Sequence, residues 1–152
     1  MITLAEYYAK SIKEGFEETS IEMQKTGIFL ERLIKDILIP FQEETGYNLE
    51  DFKQKGTIVS SGHRTKERNE QIGGSPNSCH LSNLKYRAVD IFDPEQKLGK
   101  WARNKDKLDK NYFSIAKFSF ENIAYTPTWF HIDDKPRTKG YGEFTPYLPL
   151  NK

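Results

Sequence analysis

Three residues with metal-binding side chains, His80, Asp90 and His131, are the first candidates for chemistry in a chain that has only three histidines. Zinc sites in hydrolases take three protein ligands, usually histidine and carboxylate, and leave a fourth position for water. The types of these three residues fit that set. They suggest metal-assisted hydrolysis, in which zinc lowers the pKa of its water to roughly 7 and a carboxylate accepts the proton released.

Asp133 is the first candidate for that proton-accepting carboxylate. In the predicted strand "WFHID", His131 and Asp133 are two residues apart and therefore lie on the same face. Asp133 as general base is one hypothesis, and an Asp133 that orients a ligand imidazole is another. Glu121 and Asp134 remain alternative bases.

Other residues of the same types have simpler structural interpretations. A single histidine in a strand is more often a hydrogen-bonded structural residue than a ligand, so spacing alone does not establish a metal site. His63 fits a surface position or one beside the metal ligands. Cys79 and His80 point to opposite faces of an extended segment, so we expect a buried Cys79 that does not share in coordination. Trp101 and Trp129 are expected to pack in the core or at its rim.

The elements that must position these residues begin with a helix. Apolar residues recur at three- and four-residue spacing and predict one buried stripe on a helix that is closed by Gly46. The stripe contains Ile28, Leu30, Leu33, Ile34, Ile37, Leu38 and Phe41. Pro40 lies inside the pattern and lacks an amide hydrogen, which predicts a kink or a short break. A shorter helix is predicted around residues 4–16.

From Gly56 the apolar pattern changes to that of short strands. "GTIVSSG" predicts a buried strand, and "RTKERNEQIGG" predicts a short helix with Thr65 as N-cap and Gly73-Gly74 as its end. "RAVDIF" predicts a strand that carries Asp90.

Asp93-Pro94 starts a predicted helix to about Lys110, with the lysine-rich run "KLGKWARNKDKLDK". That run is typical of a solvated helix face, although it could also attract an anionic polymer such as a cell-wall glycan. "NIAYTPTWFHIDDKP" predicts two short strands around Pro127. We therefore expect one α+β domain over residues 1–152, with a helical part at about 1–50, the metal-site core at about 56–135 and an irregular tail at 136–152.

Composition limits the classes of partner. Lys plus Arg number 23 and Asp plus Glu 22, so the overall charge gives no reason to expect nucleic acid. The lone Cys79 cannot form an internal disulfide, which suits a reducing cytoplasm. No run of 18 apolar residues occurs and the N-terminus has no apolar signal region, so we expect neither membrane insertion nor export by a signal peptide.

The stretch "IVSSGHRTKERNEQIGGSPNSCHLSNLKYRAVDIFD" resembles the signature region of the zinc D-Ala-D-Ala carboxypeptidases, within the hedgehog and D,D-peptidase superfamily. Their pattern runs from a strand into "SGYR", through "N" and "GGSPNSxH", to "RAxDI". "WFHID" is similar to the segment of the family's second histidine. The resemblance covers most of residues 1–140, including the helix that ends near "ILIPFQEETG".

The resemblance implies an α+β fold with a central antiparallel sheet flanked by helices and zinc in its cleft. It implies His80, Asp90 and His131 as zinc ligands. Arg64, at the arginine position of "SGYR", is implied to face the substrate and the developing oxyanion, a role that suits a guanidinium fork. Ser78, two residues before the first histidine, is implied to help hold the substrate.

Three positions depart from the family pattern. His80 and Asp90 are ten positions apart where relatives have seven, with Tyr86 in place of a glycine, which predicts a three-residue insertion within "SNLKY". Thr128 occupies the place, three before the second histidine, where several members carry an acidic base. His63 replaces the tyrosine of "SGYR".

The function implied is a zinc peptidase that cuts the peptide stems of bacterial peptidoglycan, as a D-Ala-D-Ala carboxypeptidase or an endopeptidase. We expect a monomer resembling a single-domain phage or prophage endolysin, which accumulates in the cytoplasm and reaches the wall after the membrane is breached. The alternative is a non-catalytic wall-binding or structural module that keeps the fold without turnover.

Overall fold

The structure, a computed structural model, describes residues 1–81 and 85–146. Helices predominate before residue 50, and strands alternate with helices after it. The α-helices are α1 (Leu4–Lys13), α2 (Ser20–Leu33), α3 (Ile39–Thr45), α4 (Lys66–Gln71), α5 (Lys97–Leu108) and α6 (Tyr112–Ala116). The strands are β1 (Val59–Ser61), β2 (Ala88–Phe92), β3 (Ser119–Glu121), β4 (Trp129–Asp133) and β5 (Gly142–Phe144). This is the mixed α+β class that the sequence predicts.

The α-helical pattern is interrupted just before Pro40 by a π-helical segment, Ile34–Leu38, between α2 and α3. Pro40 has no amide hydrogen to donate to the carbonyl of Asp36, and the hydroxyl of Tyr112 donates to that carbonyl instead. Gly46 ends α3 in the left-handed conformation, as expected. The prediction that Ile28 belongs to the buried stripe is wrong, because this residue of α2 is 59% exposed.

The five strands form one sheet in the order β1-β2-β4-β3-β5. Its first four strands pair antiparallel, and β5 adds to β3 in parallel at the edge. The predicted central antiparallel sheet is therefore present, with one parallel edge. The buried apolar residues of the sheet, among them Val89, Ile91, Phe120, Phe130 and Ile132, pack in the same core as the apolar faces of α1 to α3.

The predicted strand, helix and strand of the signature region are β1, α4 and β2. Thr65 is the N-cap of α4, and its hydroxyl accepts from the Arg68 amide. Gly62, after β1, lies against α1: a side chain there would place its Cβ 2.2 Å from the carbonyl oxygen of Tyr7. A glycine is therefore required for α1 to approach this turn. Residues 82–84 of the predicted insertion lie outside the described residues.

Two predictions for the last third are wrong. Residues Ile123–Tyr125 form a 3-10 turn rather than a strand, because the side chain of Asn122 accepts from the Ala124 amide and caps the turn. The first of the two strands is instead β3, which ends before Asn122. The tail predicted to be irregular contains β5 in its described part, and its residues 147–152 lie outside the described residues. No helix within residues 1–81 and 85–146 is long and apolar enough to cross a membrane.

Candidate metal centre

Most of the candidate site lies on a cross-strand row, a set of directly opposite residues on neighbouring strands. Asp90 on β2 pairs with Ser61 on β1 and with His131 on β4. Because Phe120 pairs with Ile132, the antiparallel register places Glu121 opposite His131. Directly opposite residues share a face of the sheet, so Asp90, His131 and Glu121 project to the same side.

His80 reaches this row from the loop that follows α4. Its Nε2 lies 3.5 Å from Asp90 Oδ1, and the same oxygen accepts from His131 Nδ1 at 2.8 Å. One donor atom from each of the three residues lies within 4.8 Å of the others. Donors 2.0–2.2 Å from a tetrahedral zinc are roughly 3.4 Å apart, so the arrangement fits such an ion with small shifts. Asp90 thus lies beside both histidines despite the longer interval between His80 and Asp90.

The second ring nitrogen of each histidine is occupied by an acceptor. His80 Nδ1–H donates to the carbonyl oxygen of Gly62 at 2.7 Å, and His131 Nε2 bonds to Asp133 Oδ2 at 2.8 Å. Such partners fix the orientation and tautomer of metal-binding imidazoles. They leave His80 Nε2 and His131 Nδ1 directed at Asp90. A structural histidine needs one good partner, so this two-sided arrangement favours a metal site.

The charges of the cluster are strongly coupled. Burial would raise the pKa of Asp90, but the charges and hydrogen bonds of His80 and His131 outweigh it and hold the pKa well below its usual range. Burial would lower the pKa of His131, but hydrogen bonds to Asp133 and Asp90 raise it to about 10. Both carboxylates thus favour a positive charge at this place, and a cation bound to Nδ1 would take the place of its proton.

Asp133 is fully buried and has every acceptor position used. Besides His131, it accepts from both terminal nitrogens of Arg137 and from the Lys135 amide. Burial would raise the pKa of Asp133, and the hydrogen bonds and charges of His131 and Arg137 lower it. Asp133 therefore orients His131 rather than facing open space, which favours the second of the two sequence hypotheses for this residue.

The other acids differ in where they point. Asp134 accepts from the Arg87 amide at 2.9 Å and pairs with Arg32 at 3.4 Å, away from the row. Glu121 is half-buried, and no hydrogen bond or ion pair involves its carboxylate in the described part of the chain. Burial raises the pKa of Glu121, the charge of His131 opposes that shift, and the charges of Asp90 and Asp133 add to it. Thr128 is exposed just before β4.

Arg64 and Ser78 support the loop that carries His80. The Arg64 amide donates to the His80 carbonyl at 2.8 Å, and Ser78 Oγ accepts from the His80 amide at 3.2 Å. The guanidinium of Arg64 donates to Asn69 Oδ1 at 2.9 Å. A Cβ at Gly74 would lie 2.1 Å from that same oxygen, which explains a glycine at this position.

A cavity of about 660 Å³ lies between α4 and the α1–α2 connection. Arg64 and Leu81 line it, whereas the three candidate metal ligands do not. The volume is within the range of small-molecule pockets. Five glutamates also line the cavity: Glu17, Glu18, Glu22, Glu67 and Glu70.

His63 is neither on the surface nor beside the metal ligands, so both expectations for it are wrong. Its ring is buried and stacks on Phe16 at 4.5 Å, and its Nδ1 bonds to the hydroxyl of Ser11 at 2.6 Å. Burial lowers the pKa of His63 to about 4. Cys79 and Trp101 are buried as expected, and burial raises the pKa of the Cys79 thiol to about 11.

The lowered pKa of His63 predicts an acid-sensitive fold. An unfolded histidine titrates near 6.5, so between pH 6.5 and 4 the unfolded state binds more protons than the folded state. The free energy of unfolding therefore decreases as the pH is lowered, by up to about 1.4 kcal/mol per pH unit. His63→Phe keeps the ring stacked but cannot be protonated. We expect urea unfolding of the metal-free variant to lack this component of the slope. Identical slopes in both proteins would mean that His63 titrates normally.

Sequence reasoning missed the partners that hold the site together. The Gly62 carbonyl and Asn69 belong to the signature region but reveal their contacts only in three dimensions. Arg137 and Phe144 lie in loops and at a sheet edge that carry no apolar period. The only signal for Arg137 was its place four residues after Asp133, beyond the end of β4.

Comparison with known proteins identifies the family of the chain. No curated protein and no solved structure matches the chain significantly. The family model described as peptidase M15 matches residues 17–121, about two thirds of the 152 residues. The match contains Arg64, Ser78, His80 and Asp90, whereas His131 and the residues after it lie beyond its end. The chain belongs to the peptidase M15 family.

Proposed function

We propose that the protein is a zinc-dependent peptidase that cleaves the stem peptides of bacterial peptidoglycan, as a D-Ala-D-Ala carboxypeptidase or an endopeptidase, in cell-wall degradation or lysis. The observation that carries the proposal is the convergence of His80 Nε2, His131 Nδ1 and Asp90 Oδ1, with the second nitrogen of each histidine already bonded. Membership of the peptidase M15 family supports the same reaction class.

Zinc would be held by His80, Asp90 and His131, which supply two neutral nitrogens and one carboxylate. When bound, it would polarise the scissile carbonyl and lower the pKa of water to about 7. The protein's part is to keep the three donor atoms together. The Gly62 carbonyl and Asp133 do this for His80 and His131.

Glu121 is our candidate for the proton acceptor. Several family members carry an acidic base at the position that Thr128 occupies here, and threonine cannot take that role. The choice of Glu121 follows from the register, which places Glu121 beside His131 in the row across the sheet. Within the described residues, no hydrogen bond or ion pair holds the carboxylate of Glu121, whereas the oxygens of Asp133 are held by Arg137 and His131. Burial raises the pKa of Glu121, which suits a group that must accept a proton from water and then release it to the leaving amine.

Arg64 and Ser78 are proposed to bind substrate. Arg64 lines the cavity beside the His80 loop, and its guanidinium is held in place by Asn69. A fixed guanidinium can stabilise the negative charge that develops on the carbonyl oxygen. The cavity would then accept part of the stem peptide, with the scissile bond directed at the row of Asp90, His131 and Glu121.

The decisive experiment is mass spectrometry of purified muropeptides after incubation with the protein. With one equivalent of zinc we expect shortened stems, and loss of terminal D-Ala identifies a carboxypeptidase while an internal cut identifies an endopeptidase. A chelator should abolish the products, and zinc should restore them. Intact muropeptides with a zinc-loaded, folded protein would contradict the proposal and favour a wall-binding module that has lost turnover.

A further inference from the structure

Asp133 is a buried carboxylate whose charge must be balanced. Its oxygens contact both His131 and Arg137. If His131 gives its Nδ1 to a metal, its ring becomes neutral, and Arg137 is then the only full positive charge bonded to Asp133 within the described residues. An unpaired buried carboxylate is costly, so Asp133 depends on Arg137 to balance its charge beside a metal-bound His131.

Arg137 is itself held by the edge of the sheet. Its guanidinium carbon lies 3.7 Å from the centre of the Phe144 ring, and its Nη1 donates to the Lys135 carbonyl at 2.8 Å. Phe144 stands at the end of β5, opposite Glu121 in the parallel register, and its ring also meets that of His131 at 6.0 Å, edge to face. Arg137, Asp133 and His131 thus form a connected series of side chains, and the Phe144 ring contacts the first and the last of them.

We propose that Arg137, held on the Phe144 ring, is a positioning residue for the metal: by fixing Asp133 it keeps the proton of His131 on Nε2 and the Nδ1 lone pair directed at the ion. The inference rests on the proposed function, since it requires a metal at His131. It also assigns a role to β5 and the segment before it, which lie beyond the family match.

The two-pronged contact with Asp133 decides which substitutions are informative. Arg137→Met keeps much of the side chain over Phe144 but removes the charge and both donors. Arg137→Lys keeps the charge and loses the fork, which one ammonium cannot reproduce. Arg103→Met is a matched control, because Arg103 pairs with Glu143 near the same edge at 3.5 Å and does not contact Asp133.

The first test is zinc affinity, measured by competition with a chromophoric chelator. We expect Arg137→Met to bind zinc roughly 10- to 100-fold more weakly, the usual cost of losing a group that orients a ligand. Arg137→Lys should lie between Arg137→Met and wild type, and Arg103→Met should match wild type. Equal affinity in Arg137→Met and wild type would overturn the inference while leaving the zinc site intact. A wild type without zinc affinity would overturn the proposed function itself.

The second test reads the tautomer directly. With ¹⁵N-labelled histidine, the zinc-loaded protein has only three imidazoles to assign by NMR. In Arg137→Met we expect the ring signals of His131 to change or broaden, while His80, held by the Gly62 carbonyl, keeps its wild-type shifts. Unchanged His131 signals would contradict a positioning role. Parallel changes in all three histidines would show general structural loss and would equally contradict it.

Discussion

Glu121→Gln is expected to keep its zinc and lose turnover on stem peptides by roughly a hundred- to ten-thousandfold, the usual contribution of a general base. Glutamine preserves the shape of the side chain in β3 but cannot accept a proton. The register places this side chain beside His131, and no other described group bonds to its carboxylate. Metal analysis and initial rates at saturating zinc measure the two effects separately.

Asp133→Asn is the informative comparison, because Asp133 is the competing base. Its hydrogen bonds to His131 and Arg137 predict a different phenotype, with zinc affinity weakened by roughly ten- to a hundredfold and activity recovering when zinc is added. Glu143→Gln is the matched control, since Glu143 lies on the neighbouring strand and faces Arg103. Normal turnover in Glu121→Gln, with turnover lost in zinc-saturated Asp133→Asn, would transfer the role of base to Asp133.

The elements before residue 110 were predictable because local chemistry determines them. Pro40 removes one helical hydrogen bond, Thr65 caps α4, and Gly46 ends α3, each through its own backbone or side chain. The short strands near the C-terminus were less predictable. β3 and β5 have three residues each, too few to show an alternating pattern; β3 forms by pairing with the longer β4, and β5 by adding to β3.

The same distinction applies to the site. His131 and Asp133 share a face of β4 by simple alternation, so their proximity followed from spacing. The opposition of Glu121 and His131 depends on the pairing of β3 with β4, which no local pattern specifies. The burial of His63 was also hidden, because the rings that enclose it come from the N-terminal helix and the turn after it. Strand pairing, which the local sequence does not specify, therefore determined that Glu121 lies beside His131 with a carboxylate that no other described group bonds.

The largest effect on metal binding is expected for His80→Ala. The variant loses one of three donor atoms, and Asp90 and His131 alone are too few to hold a zinc ion in competition with a chelator. Wild type should contain about one zinc per chain and His80→Ala essentially none. Zinc at a thousandfold excess over its Kd adds about 4 kcal/mol to stability, which corresponds to a rise in Tm of roughly 8–16 °C for a domain of this size.

His63→Ala is the control that separates loss of a ligand from loss of a buried ring. Both substitutions remove a buried imidazole, but His63 bonds to Ser11 and is not among the three residues whose donor atoms converge. We expect His63→Ala to unfold at a lower temperature and still to show the full zinc-dependent rise, whereas His80→Ala shows no rise. Equal zinc contents in His80→Ala and wild type would refute the ligand assignment. If the zinc-dependent rise in Tm were lost in His63→Ala but kept in His80→Ala, the metal would bind at His63 rather than at His80.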